Sequence, residues 1–221
     1  MLKLALLSTW LLLALPSLPL LAAEHTMTQL HKAAAAGDTA AIRALLAGGA
    51  DIEARDASGA TALLVATHAN KVEAARALIE AGANVNAKDD IQDSPYLYAG
   101  ARGHLDILKL TLAHGADLKS INRYGGTSLI PASERGLVET VDTLIKAGVA
   151  IDHVNRLGWT ALLEAIILGD GGKRHQQIVG LLIAAGANVN LADNDGVTPL
   201  RHARDRGFDE IAALLEKAGA K

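Results

Sequence analysis

The chain has 221 residues, half of them apolar and only 3% aromatic, with a formal net charge of −3. The length allows a sizeable core, and the mild acidity argues against a nucleic-acid partner. No cysteine is present, which excludes disulfides, cysteine metal sites and a thiol nucleophile.

The N-terminus carries the first signal. Met1-Leu2-Lys3 is a short positive start, Leu4 to Leu15 is apolar, and Pro16 and Pro19 end that run. Leu20-Leu21-Ala22-Ala23 then offers small residues before Glu24. This is the plan of a secretory signal peptide over residues 1–23. Cleavage is expected after Ala23, although Leu21 makes the site imperfect, and the mature chain is expected in the periplasm or outside the cell. An uncleaved anchor is the other reading, since roughly 20 apolar residues span a bilayer. The prolines and the short central run favour cleavage, after which no stable membrane insertion is expected.

Beyond that segment the chain repeats. Thr28, Thr61, Ser94, Thr127 and Thr160 are 33 residues apart, and Thr198 follows after 38. Gly49, Gly82, Gly115, Gly148, Gly186 and Gly219 keep the same rhythm. Two independent markers with one period define a repeat architecture. The units fall at about 24–55, 56–88, 89–121, 122–154, 155–192 and 193–221, within one domain spanning 24–221. Each after the first opens on a turn such as Asp56-Ala57-Ser58-Gly59. A Thr or Ser follows where a helix N-cap belongs, ahead of a short helix such as Ala62 to Ala69. Pro after the cap in Ser94-Pro95 and Thr198-Pro199 is harmless, because that N–H lies outside the helical bonds. Asn70 breaks the chain, Val72 to Ala81 forms a second helix, and Gly82 supplies its left-handed end. Helices this short are marginal alone, so stability must come from stacking of neighbouring units.

Several of these motifs resemble ankyrin repeat signatures: Thr28-Gln29-Leu30-His31-Lys32-Ala33, Thr198-Pro199-Leu200-Arg201-His202-Ala203, Gly103-His104-Leu105-Asp106-Ile107, Gly82-Ala83-Asn84-Val85-Asn86 and Gly186-Ala187-Asn188-Val189-Asn190. The resemblance covers about residues 25–220. It implies an all-α fold, an α-solenoid of six helix-turn-helix units joined by β-turns or hairpins. With the signal peptide, the chain resembles bacterial periplasmic ankyrin repeat proteins. The resemblance implies a non-catalytic module for binding another protein, without cofactor or metal, as a monomer. The alternative it leaves is a protector, chaperone-like helper or inhibitor of one periplasmic enzyme, such as a catalase. It also implies that His31 and His104 bond the backbone of the adjacent unit.

Departures from the plain repeat mark the candidate site. The turn glycine of Gly59, Gly125, Gly158 and Gly196 is replaced by Gln92, which is strained if that place needs a positive φ. Its turn, Asp89-Asp90-Ile91-Gln92-Asp93, is acidic; it reads either as drift in a solvent-exposed turn or as a contact loop. Among the aromatics, Tyr96 takes a core position. Tyr98 is expected on the inner face of repeat three, and Tyr124 and Trp159 on the turns opening repeats four and five. These three form a candidate ridge, since exposed Tyr and Trp are enriched at binding hot spots; packing of each against its neighbouring turn is the competing reading. Arg123 and Arg156 hold equivalent turn positions beside Tyr124 and Leu157, and an Asp90–Arg123 rung is expected between turns. The candidate partner-binding residues are therefore Asp90, Ile91, Asp93, Tyr98, Arg123, Tyr124, Arg156, Leu157 and Trp159. The mixed charge of Arg102, Glu134, Arg135 and Glu164 on the inner helices suits a protein surface.

Pro131, early in the first helix of repeat four, is expected to remove one helix hydrogen bond. The five-residue excess of repeat five lies in Ile167 to His175, and a protruding loop is expected there. A phosphate loop is disfavoured, because Arg174 stands where the Walker pattern needs Ser or Thr after Lys173; a small-molecule site at this insert is the least favoured alternative. No nucleophile elbow and no His-Glu-x-x-His motif occur, so no catalytic residues are assigned.

Overall fold

The computed structural model describes residues 29–221; the expected signal segment lies outside them. The described residues form twelve helices: α1 (29–36), α2 (Thr39–Ala47), α3 (Ala62–His68), α4 (Val72–Glu80), α5 (Pro95–Arg102), α6 (Leu105–Ala113), α7 (Leu129–Glu134), α8 (Val138–Ala147), α9 (Ala161–Ile167), α10 (Lys173–Ala184), α11 (Pro199–Asp205) and α12 (Asp209–Lys217). Odd-numbered helices from α3 onward pack as an inner row, each on the next odd one, and the even-numbered helices stack likewise as an outer row. Each inner helix also packs on its own outer partner. This is an α-solenoid. The β component is slight: Arg55 and Thr61 make an isolated antiparallel bridge.

Local chemistry sets each unit. Thr61, Ser94, Thr160 and Thr198 accept from the backbone N–H three residues on and cap α3, α5, α9 and α11, which satisfies a donor that helix geometry leaves orphaned. The loops before them are closed by one side chain per unit. The Oδ1 atoms of Asp56, Asp89, Asn122, Asn155 and Asp193 each accept from the amides two and four residues on. Asp and Asn make this geometry more strongly than Ser or Thr.

The core is a continuous seam between the two rows. Leu63, Leu78, Leu108, Leu129, Leu144, Leu163 and Leu182 are fully buried, each worth about 2 kcal/mol of transfer. Truncating Leu108, at the centre of the stack, to Ala would cost about 2–5 kcal/mol. Tyr96 is fully buried, in the core position the repeat assigns to it. Its phenol lies beside the Ser128 hydroxyl, yet neither makes a geometrically satisfied hydrogen bond. Burial pushes the phenol pKa up to about 12, against a small lowering by Ser128.

Repeat four departs from its neighbours. Elsewhere in the inner row the amide four residues past the cap bonds back to it, as in Val65 to Thr61 and Glu164 to Thr160. Here that residue is Pro131, which has no N–H. The Ile130 amide turns instead to the Thr127 carbonyl at 3.2 Å, and the Thr127 hydroxyl is left buried without a partner. The helix is shortened to six residues, so Pro131 removes the hydrogen bond the sequence reading assigns to it.

Candidate functional site

The face made by the inner helices and the turns holds two adjoining clefts. One, of about 310 Å³, runs between repeats four and five and is lined by Asn122, Arg123, Tyr124, Gly126, Ile130, Pro131, Glu134, Arg135, Asn155, Leu157, Glu164 and Leu168. The other, of about 120 Å³, runs between repeats three and four and adds Asp93, Tyr98, Ala101 and Arg102. They share the wall Arg123-Tyr124-Pro131-Glu134-Arg135. The shortened start of α7 places Pro131 in both.

The structure brings together five of the nine candidate residues: Asp93, Tyr98, Arg123, Tyr124 and Leu157 line these clefts. Asp90 and Ile91 lie at the preceding turn tip, where the Asp90 amide donates to Ser58 O at 3.1 Å. Arg156 lies along the turns, its Nη1 donating to Arg123 O at 2.8 Å. Trp159 is half-buried and lines neither cleft, so it does not extend the ridge begun by Tyr98 and Tyr124.

Two expectations need correcting. The rung between turns joins Arg123 to Asp93, at 3.5 Å, rather than to Asp90. Asp90 is tied by its backbone to the preceding turn, whereas Asp93 ends its own turn with a half-buried side chain. Burial raises the Asp93 pKa, partly offset by Arg123. The second correction concerns the insert of repeat five, which is packed rather than protruding. Three of its residues extend α10 at the N-terminus relative to α4. His175 Nε2 lies 2.9 Å from Glu134 O, and its Nδ1 lies 2.7 Å from Asp170 Oδ1. Gly171 lies with a φ of 69° against the Phe208 ring of repeat six. The Asp170 carboxylate also accepts from the Gly172 amide, and so occupies the place a phosphate would need.

Tyr98 has close partners of its own. Its ring centroid is 4.2 Å from that of His68 and 6.0 Å from that of His104, with the Arg102 guanidinium 5.4 Å above it. His104 therefore packs on Tyr98, while His31 does donate to the next unit's backbone, at Ala60 O, 3.0 Å away. Tyr124 is 57% exposed, its ring under the Arg123 guanidinium at 5.2 Å.

The candidate list lacks one residue that dominates the larger cleft. Glu164 is only 5% exposed. Its Oε1 accepts from Asn155 Nδ2 at 2.8 Å. Burial, then the charge of Glu134, push its pKa up to about 7. The signal available in sequence was a Glu at the position where the other inner helices carry Val65, Tyr98 and Pro131. No group of three or more side chains fit to hold a metal occurs among the described residues.

Known proteins share this architecture. A family model of three ankyrin repeats matches residues 10–89, and a single-repeat model matches 157–194. The crystal structure of an ankyrin repeat domain from Acinetobacter baumannii is 68% identical, with a TM-score of 0.85, over 87% of this chain and 98% of that one. The chain belongs to the ankyrin repeat family. A second crystallised ankyrin repeat protein is 41% identical over 86% of this chain and 98% of its own, with a TM-score of 0.83. The ankyrin repeat domain of Bcl-3, of the IkappaB family, is 27% identical over 87% of this chain and 86% of its own, with a TM-score of 0.78. The ankyrin repeat protein YahD of Escherichia coli is 59% identical over 58 residues, which span 26% of this chain and 29% of YahD. Ankyrin repeat domains are generally protein–protein interaction modules, and the fold is typically non-catalytic.

Proposed function

We propose that this ankyrin repeat chain binds a partner protein through the inner-helix face and turn tips of repeats three to five, without catalysing a reaction. One observation carries the reading. Ile91, Tyr124 and Leu157 occupy the same tip position in three consecutive repeats and are 52%, 57% and 51% exposed. The tips on either side carry Ser58 and Asp195 at that position. Among the described residues, Ile121, Val154 and Leu168 are the further large exposed apolar side chains, and all lie in the same three repeats. An apolar patch confined to one stretch of a polar surface is the mark of a docking site. The clefts beside it supply Tyr and Arg, the residue types enriched where binding energy concentrates. With the signal peptide expected from the sequence, the proposal puts this partner in the periplasm or outside the cell.

The test is crosslinked affinity capture by the mature chain from its own compartment. A protein retained by the wild type and lost with Tyr124→Ala plus Leu157→Ala supports the reading. Both side chains are exposed, so their truncation leaves the stack intact. Equal capture by the double variant overturns it.

A further inference from the structure

The larger cleft holds a nearly buried carboxyl group. Glu164 reaches it from α9, and its one hydrogen bond, at Oε1, comes from the neutral amide of Asn155. Among the described residues no cation pairs with it. Arg135 and Arg123 also line the cleft, and the Arg135 charge partly offsets the rise in the Glu164 pKa, but the guanidinium bonds go elsewhere: Arg135 donates to Ala101 O at 2.6 Å, Arg123 reaches Asp93 at 3.5 Å, and Arg156 donates to Arg123 O at 2.8 Å. On α11, the next inner helix, the equivalent position is His202, held by Asp193 at 2.7 Å. On α7, packed against the other side of α9, stands a second carboxylate, Glu134. A nearly buried carboxylate without a counter-charge is costly unless something supplies one.

The cleft around it has the shape and lining of a socket. Its volume of about 310 Å³ is at the small end for ligand sites, suited to one side chain rather than to a cofactor. Ile130, Pro131, Leu157 and Leu168 give it an apolar wall, and Tyr124 stands at its edge. An anion would meet two carboxylates there, while the two arginines of the lining, Arg123 and Arg135, reach Asp93 and the Ala101 carbonyl. An apolar guest would exclude water from Glu164, drive the carboxyl to hold its proton, and give it no new partner. A long cationic side chain satisfies both parts, with the stem on the apolar wall and the head on the carboxylate.

We infer that the cleft between repeats four and five receives a lysine or arginine side chain of the partner, its charged head on Glu164 and its stem along Pro131, Leu157 and Leu168. The inference rests on the protein-binding reading above and names the chemistry of the residue that docks. It also explains why a residue that weakens the free stack sits at the centre of the candidate face, since sites are often built at the expense of stability. Because only the charged carboxylate attracts the guest, binding strengthens as pH rises through the range in which Glu164 ionises.

The experiment is an NMR titration of the described domain's full chain with four small probes: the Nα-acetyl methylamides of lysine, arginine and norleucine, and methylammonium chloride. Isotope-labelled Glu164, Tyr124 and Leu157 report. The lysine and arginine probes are expected to shift all three residues at pH 8, about thirtyfold more weakly at pH 5.5, and not to shift them in Glu164→Gln. That variant keeps the Asn155 bond, and its amide spectrum verifies folding; the pH arm on the wild type stands independently of it. Equal binding of the norleucine probe, pH-insensitive binding, or a methylammonium response matching that of lysine overturns the socket. Each of those results leaves the capture experiment with Tyr124→Ala plus Leu157→Ala untouched, so failure of the socket and failure of the protein-binding reading are told apart.

Discussion

Asn155 and Glu164, nine residues apart, are joined by a 2.8 Å bond from amide to carboxylate. The next unit repeats the arrangement with the roles reversed, Asp193 accepting from His202 at 2.7 Å across the same nine residues. In repeat six a carboxylate of the turn meets an imidazole of the inner helix. In repeat five an amide of the turn meets a carboxyl, and a neutral amide cannot balance the charge that carboxyl takes on when it ionises. The turn residue thus decides whether the inner-helix position is neutralised or left available.

The Glu164 carboxyl makes a definite pH prediction. Its pKa rises from 4.5 to about 7 on folding, so the folded chain holds the proton more tightly than the unfolded one. The associated stability is full below 4.5 and is lost as pH climbs from 4.5 through 7. A shift of this size corresponds to roughly 3 kcal/mol. Glu164→Gln is expected to be more stable than wild type at pH 8 by up to about that amount, and equal to it near pH 4.5. Urea unfolding at the two pH values checks this; a variant less stable at pH 8 contradicts it.

Gln92 has a φ of 69°, where its equivalents are Gly59 at 76° and Gly125 at 76°. The left-handed region costs a residue with a Cβ about 1 kcal/mol relative to glycine. Gln92→Gly is expected to raise the melting temperature by about 2–4 °C. Calorimetry that finds no gain would remove strain as the meaning of this substitution.

The ring group around Tyr98 titrates in the opposite direction to Glu164. The His68 pKa is lowered by burial, and so is that of His104, with the Arg102 charge adding to it. Both stay neutral in the fold down to below 6.5, and the stability this provides is complete above 6.5 and lost as pH falls through their folded values. Histidine ring signals should titrate below 6.5 in the wild type. In Arg102→Met the His104 signal should move upward, and an unchanged curve would show that the guanidinium plays no part.

The insert of repeat five ties two repeats together. A Cβ on Gly171 would meet the Phe208 ring, and its φ of 69° is already unfavourable for an L residue. Gly171→Ala is expected to destabilise by about 1–3 kcal/mol and to loosen repeat six first. Hydrogen exchange along α11 and α12 measures this, and unchanged protection there contradicts the packing.

The fold was legible because it is written six times. Period, caps and terminal glycines are local signals, and Thr61, Ser94, Thr160 and Thr198 act in the structure as their positions suggest. Pro131 was legible for the same reason, since a missing N–H needs no tertiary context. The contents of the clefts were not. Arg123 reaches Asp93 instead of Asp90 because reach depends on which way a turn end points, and register alone does not carry that. The glycines of the insert read as a free loop, but Phe208, some 40 residues on, closes over Gly171, and His175 over Gly169. Glu164 was visible only as one more charge on an inner helix; its burial arises from α7 on one side and the Asn155 turn on the other.

The most direct test of the binding face is hydrogen exchange on the chain with and without its captured partner. Protection concentrated in 89–102, 122–135 and 155–168 is the predicted result. Protection confined to the outer helices α4, α6, α8 and α10, with those inner segments unchanged, would contradict it.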